Sequence, residues 1–86
     1  MAEKTLVIQN PTGIHARPAA MLVNKAQAFA SKITLEKDGK QADAKSILGV
    51  MAMAVNQGST VTIRAEGSDA DQAVAELAAF LEQLQY

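Results

Sequence analysis

Hydrophobic and polar positions alternate or recur along this chain in a way that marks out strands and helices in turn. Lys4–Gln9 places Leu6 and Ile8 on one side, is rich in β-branched residues and is closed by Asn10-Pro11, which predicts a strand. From Ala16 to about Ala30, Ala19, Leu22, Val23, Ala26 and Phe29 recur at helical spacing. Pro18 is compatible with the first turn of that helix, where backbone N–H groups have no intrahelical acceptor. Because the residue before a proline is biased away from helical geometry, the start is either Ala16 or Pro18. Ile33–Lys37 alternates and meets Asp38-Gly39, a two-residue hairpin turn, and Lys40–Asp43 is the return strand, charged and weakly apolar as suits a sheet edge.

Ser46 is a good N-cap for the apolar run Ile47–Ala54, predicting a short helix that ends near Asn56-Gln57-Gly58. Thr60–Glu66 alternates again, with Val61, Ile63 and Ala65 facing inward. The last helix carries one apolar stripe of Ala70, Ala73, Val74, Leu77, Leu81 and Leu84, and Ser68 or Asp69 caps its start. The order is β-α-β-β-α-β-α. Strands with one apolar face and one Thr/Lys/Glu/Arg face imply an antiparallel sheet covered by helices on one side only, hence a two-layer α+β open-faced sandwich. We read residues 1–86 as one small domain.

Composition narrows the function. With aromatics scarce and tryptophan absent, the core must be built from Ala, Val, Ile, Leu and Met. Eight basic against nine acidic residues give a net charge of −1, with no basic stripe, which argues against direct nucleic-acid binding. The absence of cysteine excludes a disulfide scaffold and thiolate metal sites. Neither a signal peptide nor an apolar run of membrane-spanning length is visible, so the expectation is a cytoplasmic protein without membrane insertion.

The chemistry centres on His15, the single histidine of the chain, in Thr12-Gly13-Ile14-His15-Ala16-Arg17-Pro18-Ala19-Ala20. A turn precedes it and a helix comes after, which places the imidazole at a helix N-terminus. There, free N–H groups and the helix dipole favour an anion. Arg17 adds a fork of charged donors suited to phosphate. One histidine without cysteine makes a zinc site unattractive, and no nucleophile with an orienting acid suggests hydrolysis. Accepting a phosphoryl group needs less: a neutral imidazole to attack, and donors to meet the charge that arrives with the group.

Gly13-Ile14-His15-Ala16-Arg17-Pro18-Ala19 resembles the active-site signature of the HPr family, the histidine-containing phosphocarriers of the bacterial phosphoenolpyruvate-dependent sugar phosphotransferase system. Lys45-Ser46-Ile47-Leu48-Gly49-Val50-Met51 resembles that family's second signature. The resemblance implies a four-stranded antiparallel sheet in the order 1-4-2-3 with three helices on one face. It further implies that Enzyme I donates to Nδ1 of His15, which then charges the IIA domains of sugar transporters. Arg17 carries over as the phosphate partner and the amides of Ala16 and Arg17 as donors, with Thr12 contributing a hydroxyl. No cofactor or metal is implied.

The resemblance makes Ala20, Ile47, Leu48 and Met51 partner-docking residues beside Arg17. The ordinary alternative is that Ile47, Leu48, Val50, Met51 and Ala54 are all core, but a helix this short buries only one face, with Val50 and Ala54 available for a second. Arg17, Lys25 and Lys45 are the cations expected to face acidic partner sites. Ser46 is either simply an N-cap or, as in many family members, the substrate of an ATP-dependent HPr kinase/phosphorylase. A phosphate there would be favoured by the helix dipole yet place charge beside the apolar patch. Contact of that form with a transcription regulator is a further expectation, and the chain is expected to be a monomer. The family also contains a regulatory paralogue without the histidine, from which His15 sets this chain apart. Another paralogue serves a nitrogen-linked phosphorelay; Pro18 and the Ser46 motif lean toward the sugar branch.

Overall fold

A computed structural model of the chain describes residues 1–84. Four strands, β1 (Ala2–Val7), β2 (Lys32–Lys37), β3 (Lys40–Asp43) and β4 (Thr60–Glu66), form one antiparallel sheet in the order β1-β4-β2-β3. Helices α1 (Ala16–Ala26), α2 (Ile47–Ala52) and α3 (Ala70–Glu82) complete the βαββαβα order. The inward residues of the strands, Leu6, Ile33, Leu35, Val61, Ile63 and Ala65, are buried together with Ala19, Leu22, Val23 and Ala26 of α1 and Ala73, Leu77 and Leu81 of α3. On the other face the cross-strand neighbours are polar. Thr5 and Thr62 share a hydrogen bond of 2.8 Å, and Arg64 bridges Glu3 (2.9 Å) and Glu36 (3.1 Å) from the central strand, which raises its pKa further. That division into an apolar and a polar face is what period-two alternation dictates for a half-covered sheet.

The element ends depart from the sequence pattern for reasons that lie far away in the chain. β1 begins at Ala2 and stops at Val7, although Ile8 stays fully buried and its N–H donates to the Ser59 carbonyl. α1 starts at Ala16, so Arg17 is helical in spite of Pro18, which sits third in the helix where its missing N–H breaks no intrahelical bond. The same helix ends at Ala26 rather than near Ala30. There Asp69 intervenes: its carboxylate accepts from the N–H groups of Ala30 (2.8 Å) and Ser31 (3.0 Å) and from the Ser31 hydroxyl, drawing the chain out of helical geometry. Asp69 therefore holds the N-cap position of α3 without its side chain capping that helix, and the Ser31 hydroxyl and the two amides hold its carboxyl below the usual carboxylate range. Leu84 lies beyond the end of α3, half-buried against the core.

α2 is shorter than predicted, closing at Ala52 with Met53 as C-cap. Ala54 comes next at φ +52°, a left-handed conformation, and is exposed. Of Val50 and Ala54, the two residues open to a second face, Val50 is buried and Ala54 is not, and Met53 is buried with Val50 in the core.

Candidate functional site

The loop that carries His15 is fixed to the rest of the protein before the imidazole is reached. Ile8 and the segment Ser59-Gly58 exchange backbone hydrogen bonds of 2.8 and 2.7 Å, and the Gln57 side chain donates to the Gln9 carbonyl (2.9 Å). Asn10 is buried, and its Nδ2 donates to the Gly13 carbonyl (2.7 Å) while the Gly13 N–H returns to the Asn10 carbonyl (3.2 Å), folding residues 10–13 into a tight turn. Gly13 has φ +65°, and a Cβ there would stand 2.2 Å from the Val55 carbonyl oxygen and 2.8 Å from Cα of Asn56. Only glycine satisfies both the left-handed backbone and the close approach. The Ile14 N–H then donates to that Val55 carbonyl (3.0 Å), and the Ile14 side chain is buried.

His15 adopts an extended conformation (φ −110°, ψ −158°) as the N-cap of α1. Its carbonyl accepts the first helical bond, from the Ala19 N–H at 2.8 Å, but its side chain makes no capping hydrogen bond. The residue is exposed, on the same open surface as Thr12, Ala16 and Arg17. Pro18 removes one of the N–H groups at this helix end, which leaves those of His15, Ala16 and Arg17 outside the intrahelical ladder. No acidic residue occupies the first turn to offset the positive end of the dipole. The arrangement combines an accessible nucleophilic ring, backbone donors and a guanidinium two residues away. It is chemically suited to receiving a phosphoryl group on an open surface.

The remaining residues singled out in the sequence fall on α1 and α2, which pack against each other. Ala20 is half-buried on α1, and Ile47 (42 %), Leu48 (82 %) and Met51 (41 %) are exposed on α2. Among the described residues six large apolar side chains are exposed, and four of them, Met21, Ile47, Leu48 and Met51, belong to this helix pair. Met21 was not anticipated; its signal was its position outside the Ala19/Leu22/Val23/Ala26 stripe, one turn beyond Arg17. Asn10 was likewise missed as a support of the site.

Ser46 is the N-cap of α2, its hydroxyl accepting from the Gly49 N–H at 3.1 Å. The Lys45 ammonium donates to the Phe29 carbonyl (2.8 Å) and ties the start of α2 to the loop after α1. Lys25 lies over the Phe80 ring at 5.5 Å from its centroid. Among the described residues no three His, Cys, Asp or Glu side chains are grouped to hold a metal ion, and no helix is long and apolar enough to cross a membrane.

Comparison with known proteins agrees with the geometry. Residues 2–83 match the family model described as the PTS HPr component phosphorylation site. The chain is 48 % identical over 84 residues to phosphocarrier protein HPr of Lysinibacillus sphaericus, covering 98 % of this chain and 96 % of that one. It is 47 % identical over 83 residues to HPr-like protein Crh of Halalkalibacterium halodurans (96 % and 99 % covered). The crystal structure of HPr-C-His from Thermoanaerobacter tengcongensis superposes with a TM-score of 0.92 at 48 % identity, over 95 % of this chain and 92 % of that one. A dimeric HPr structure from the same organism superposes with 0.75 at 48 % identity, over 95 % of this chain and 94 % of that one. A near-full-length family match, the shared fold and an exposed histidine at the start of α1 converge on one conclusion: the chain belongs to the HPr family of phosphocarriers of the phosphotransferase system.

Proposed function

We propose that this protein shuttles a phosphoryl group between two larger proteins through His15. Phospho-Enzyme I, charged by phosphoenolpyruvate, brings the group to the exposed ring. The lone pair of the neutral imidazole, at Nδ1, forms the P–N bond as the bond from phosphorus to the donor breaks. Charge on the equatorial oxygens is met by the N–H groups of Ala16 and Arg17, the Arg17 guanidinium and the Thr12 hydroxyl. Transfer to a IIA domain of a sugar transporter reverses these steps. The protein is not an enzyme in the turnover sense, because it ends each cycle having carried or lost a group supplied by others.

One observation carries the reading: His15 occupies an N-cap position with its ring exposed and not engaged in capping. The similarity to an HPr-like protein as well as to HPr itself leaves His15 as the residue that favours the carrier over a purely regulatory role. Incubation with Enzyme I and phosphoenolpyruvate is expected to add a single acid-labile phosphate that His15→Ala abolishes. An unlabelled protein, or label that persists in His15→Ala, would overturn the reading.

Docking is assigned to Ala20, Ile47, Leu48 and Met51, the α1/α2 surface beside His15, with Met21 added by its exposure. Ser46 is assigned a second, regulatory phosphorylation by an HPr kinase/phosphorylase. Its oxygen already faces the helix N-terminus, so a phosphate of about −2 charge would be tolerated by α2 while repelling partners from the adjoining Ile47 and Leu48. That form is the one offered to a transcription regulator. A kinase-dependent mass gain absent in Ser46→Ala tests the assignment. The working form is a cytoplasmic monomer, to be checked by sedimentation against the mass of one chain, 9.1 kDa.

A further inference from the structure

Lys37 stands where the apolar face of β2 ends. It continues the inward alternation of Ile33 and Leu35, so its side chain leaves the strand on the face covered by helices. There its ammonium donates to the carbonyls of Met53 (3.3 Å) and Ala54 (3.0 Å). These carbonyls close α2, Met53 as C-cap and Ala54 in the left-handed region at φ +52°. A cation at a helix C-terminus is favoured by the dipole and by carbonyls without helical donors. Here it also holds an alanine in a conformation that a residue with a Cβ avoids.

The residues just after Ala54 support the phosphoryl site. Val55 gives its carbonyl to the Ile14 N–H, and Val55 and Asn56 lie so close to Gly13 that no side chain fits between them. One peptide unit separates the anchor of Lys37 from this shelf, and His15 is the next residue after Ile14.

We propose that Lys37 is a positioning residue for His15. By pinning the turn at Met53–Ala54 it sets the height of the Val55–Asn56 shelf and, through Gly13 and Ile14, the direction in which the imidazole faces. Without the ammonium, Ala54 relaxes from the left-handed region and the Val55 carbonyl drifts from Ile14. The ring then samples orientations that miss the incoming phosphorus, and displacements of about 1 Å are enough to slow such a transfer. The inference rests on the reading of His15 as the phosphoryl acceptor.

The test compares Lys37→Met, Lys37→Arg and the double variant Lys37→Met/Ala54→Gly. In Lys37→Met the Ile14 amide exchanges with solvent about two- to fivefold faster than in wild type relative to the β4 amides. The Cε1–H resonance of the sole histidine moves, and kcat for transfer from phospho-Enzyme I falls with KM unchanged. Lys37→Arg, which keeps the charge and the reach, behaves as wild type. In the double variant glycine takes the left-handed turn without strain, and the Ile14 exchange and the His15 resonance recover. Lys37→Met with unaltered Ile14 exchange and an unmoved His15 resonance overturns the proposal, even if the variant is less stable overall. A uniform rise in exchange across the sheet, uncorrected by Lys37→Arg, overturns it as well. Failure of wild type to take up phosphate falls on the carrier reading alone, because the exchange and resonance measurements still decide the role of Lys37.

Discussion

Replacing Gly13 by alanine separates two demands that the site loop makes of one residue. The first is the left-handed backbone at φ +65°, which costs an L-residue roughly 1–2 kcal/mol, partly offset by the roughly 0.4–1 kcal/mol that alanine removes from the entropy of the unfolded chain. The second is space. The new Cβ would lie 2.2 Å from the Val55 oxygen, so the two backbones must part, and the Ile14 N–H···O=C Val55 bond of 3.0 Å goes with them. Loss of that bond adds about 1 kcal/mol, and the strain of prising the loop from its shelf about 1 more. The sum is about 2–3 kcal/mol.

Gly39 supplies the control. It has φ +80° with no atom within 4 Å of the place a Cβ would take, so Gly39→Ala incurs the backbone term alone, about 1 kcal/mol or less. At roughly 4–8 °C per kcal/mol for a chain of this size, Gly13→Ala lowers Tm by roughly 10–20 °C and Gly39→Ala by a few degrees. Thermal unfolding by circular dichroism, repeated in urea to check that the slope is unchanged, reads the difference. Equal shifts for the two variants would show that the contact with Val55 and Asn56 carries no energy, and the account of how the loop is held would be wrong.

Ala54→Gly relieves a left-handed alanine and raises stability by about 1 kcal/mol in urea unfolding; a loss of stability would contradict the strain assigned there. The carboxyl of Asp69 titrates below its ordinary value in the folded state, so between the two values the unfolded chain binds more protons. The stabilisation it provides is fully present above the ordinary value of 3.8 and is lost as pH falls through the lower, folded one; Asp69→Asn is less stable at neutral pH and lacks this acid-side dependence, as urea unfolding across that pH range would show. Leu48→Ala, at a side chain 82 % exposed, changes stability by no more than about 0.5 kcal/mol but raises KM for phospho-Enzyme I; an unchanged KM would remove Leu48 from the docking surface.

Much of the fold was readable from period. Alternation at Ile33–Lys37 and Thr60–Glu66 and the stripe of α3 are local signals of faces that are in fact buried, and the Ser46 cap is a local signal for a local bond. Helix ends were not readable, because they are set by partners distant in sequence. Asp69, 39 residues from Ala30, ends the stretch after α1, and the Lys37 ammonium meets the carbonyls that follow α2, where Met53, not Ala54, is buried. In the site, His15 and Arg17 stood out by residue type, whereas Asn10 reads in sequence as an ordinary turn former. Its near-complete burial belongs to the folded loop, where Val55 and Asn56 lie against Gly13, and has no counterpart in the local pattern.

Because the chain has a single histidine, one NMR resonance reports on the central claim without ambiguity. Its Cε1–H signal should move to a new position when Enzyme I and phosphoenolpyruvate are added. It should return to the original one when a cognate IIA domain is supplied after the donor is exhausted. A signal that stays in place while phosphate accumulates on the protein, or that moves and never returns, would contradict a carrier working through His15.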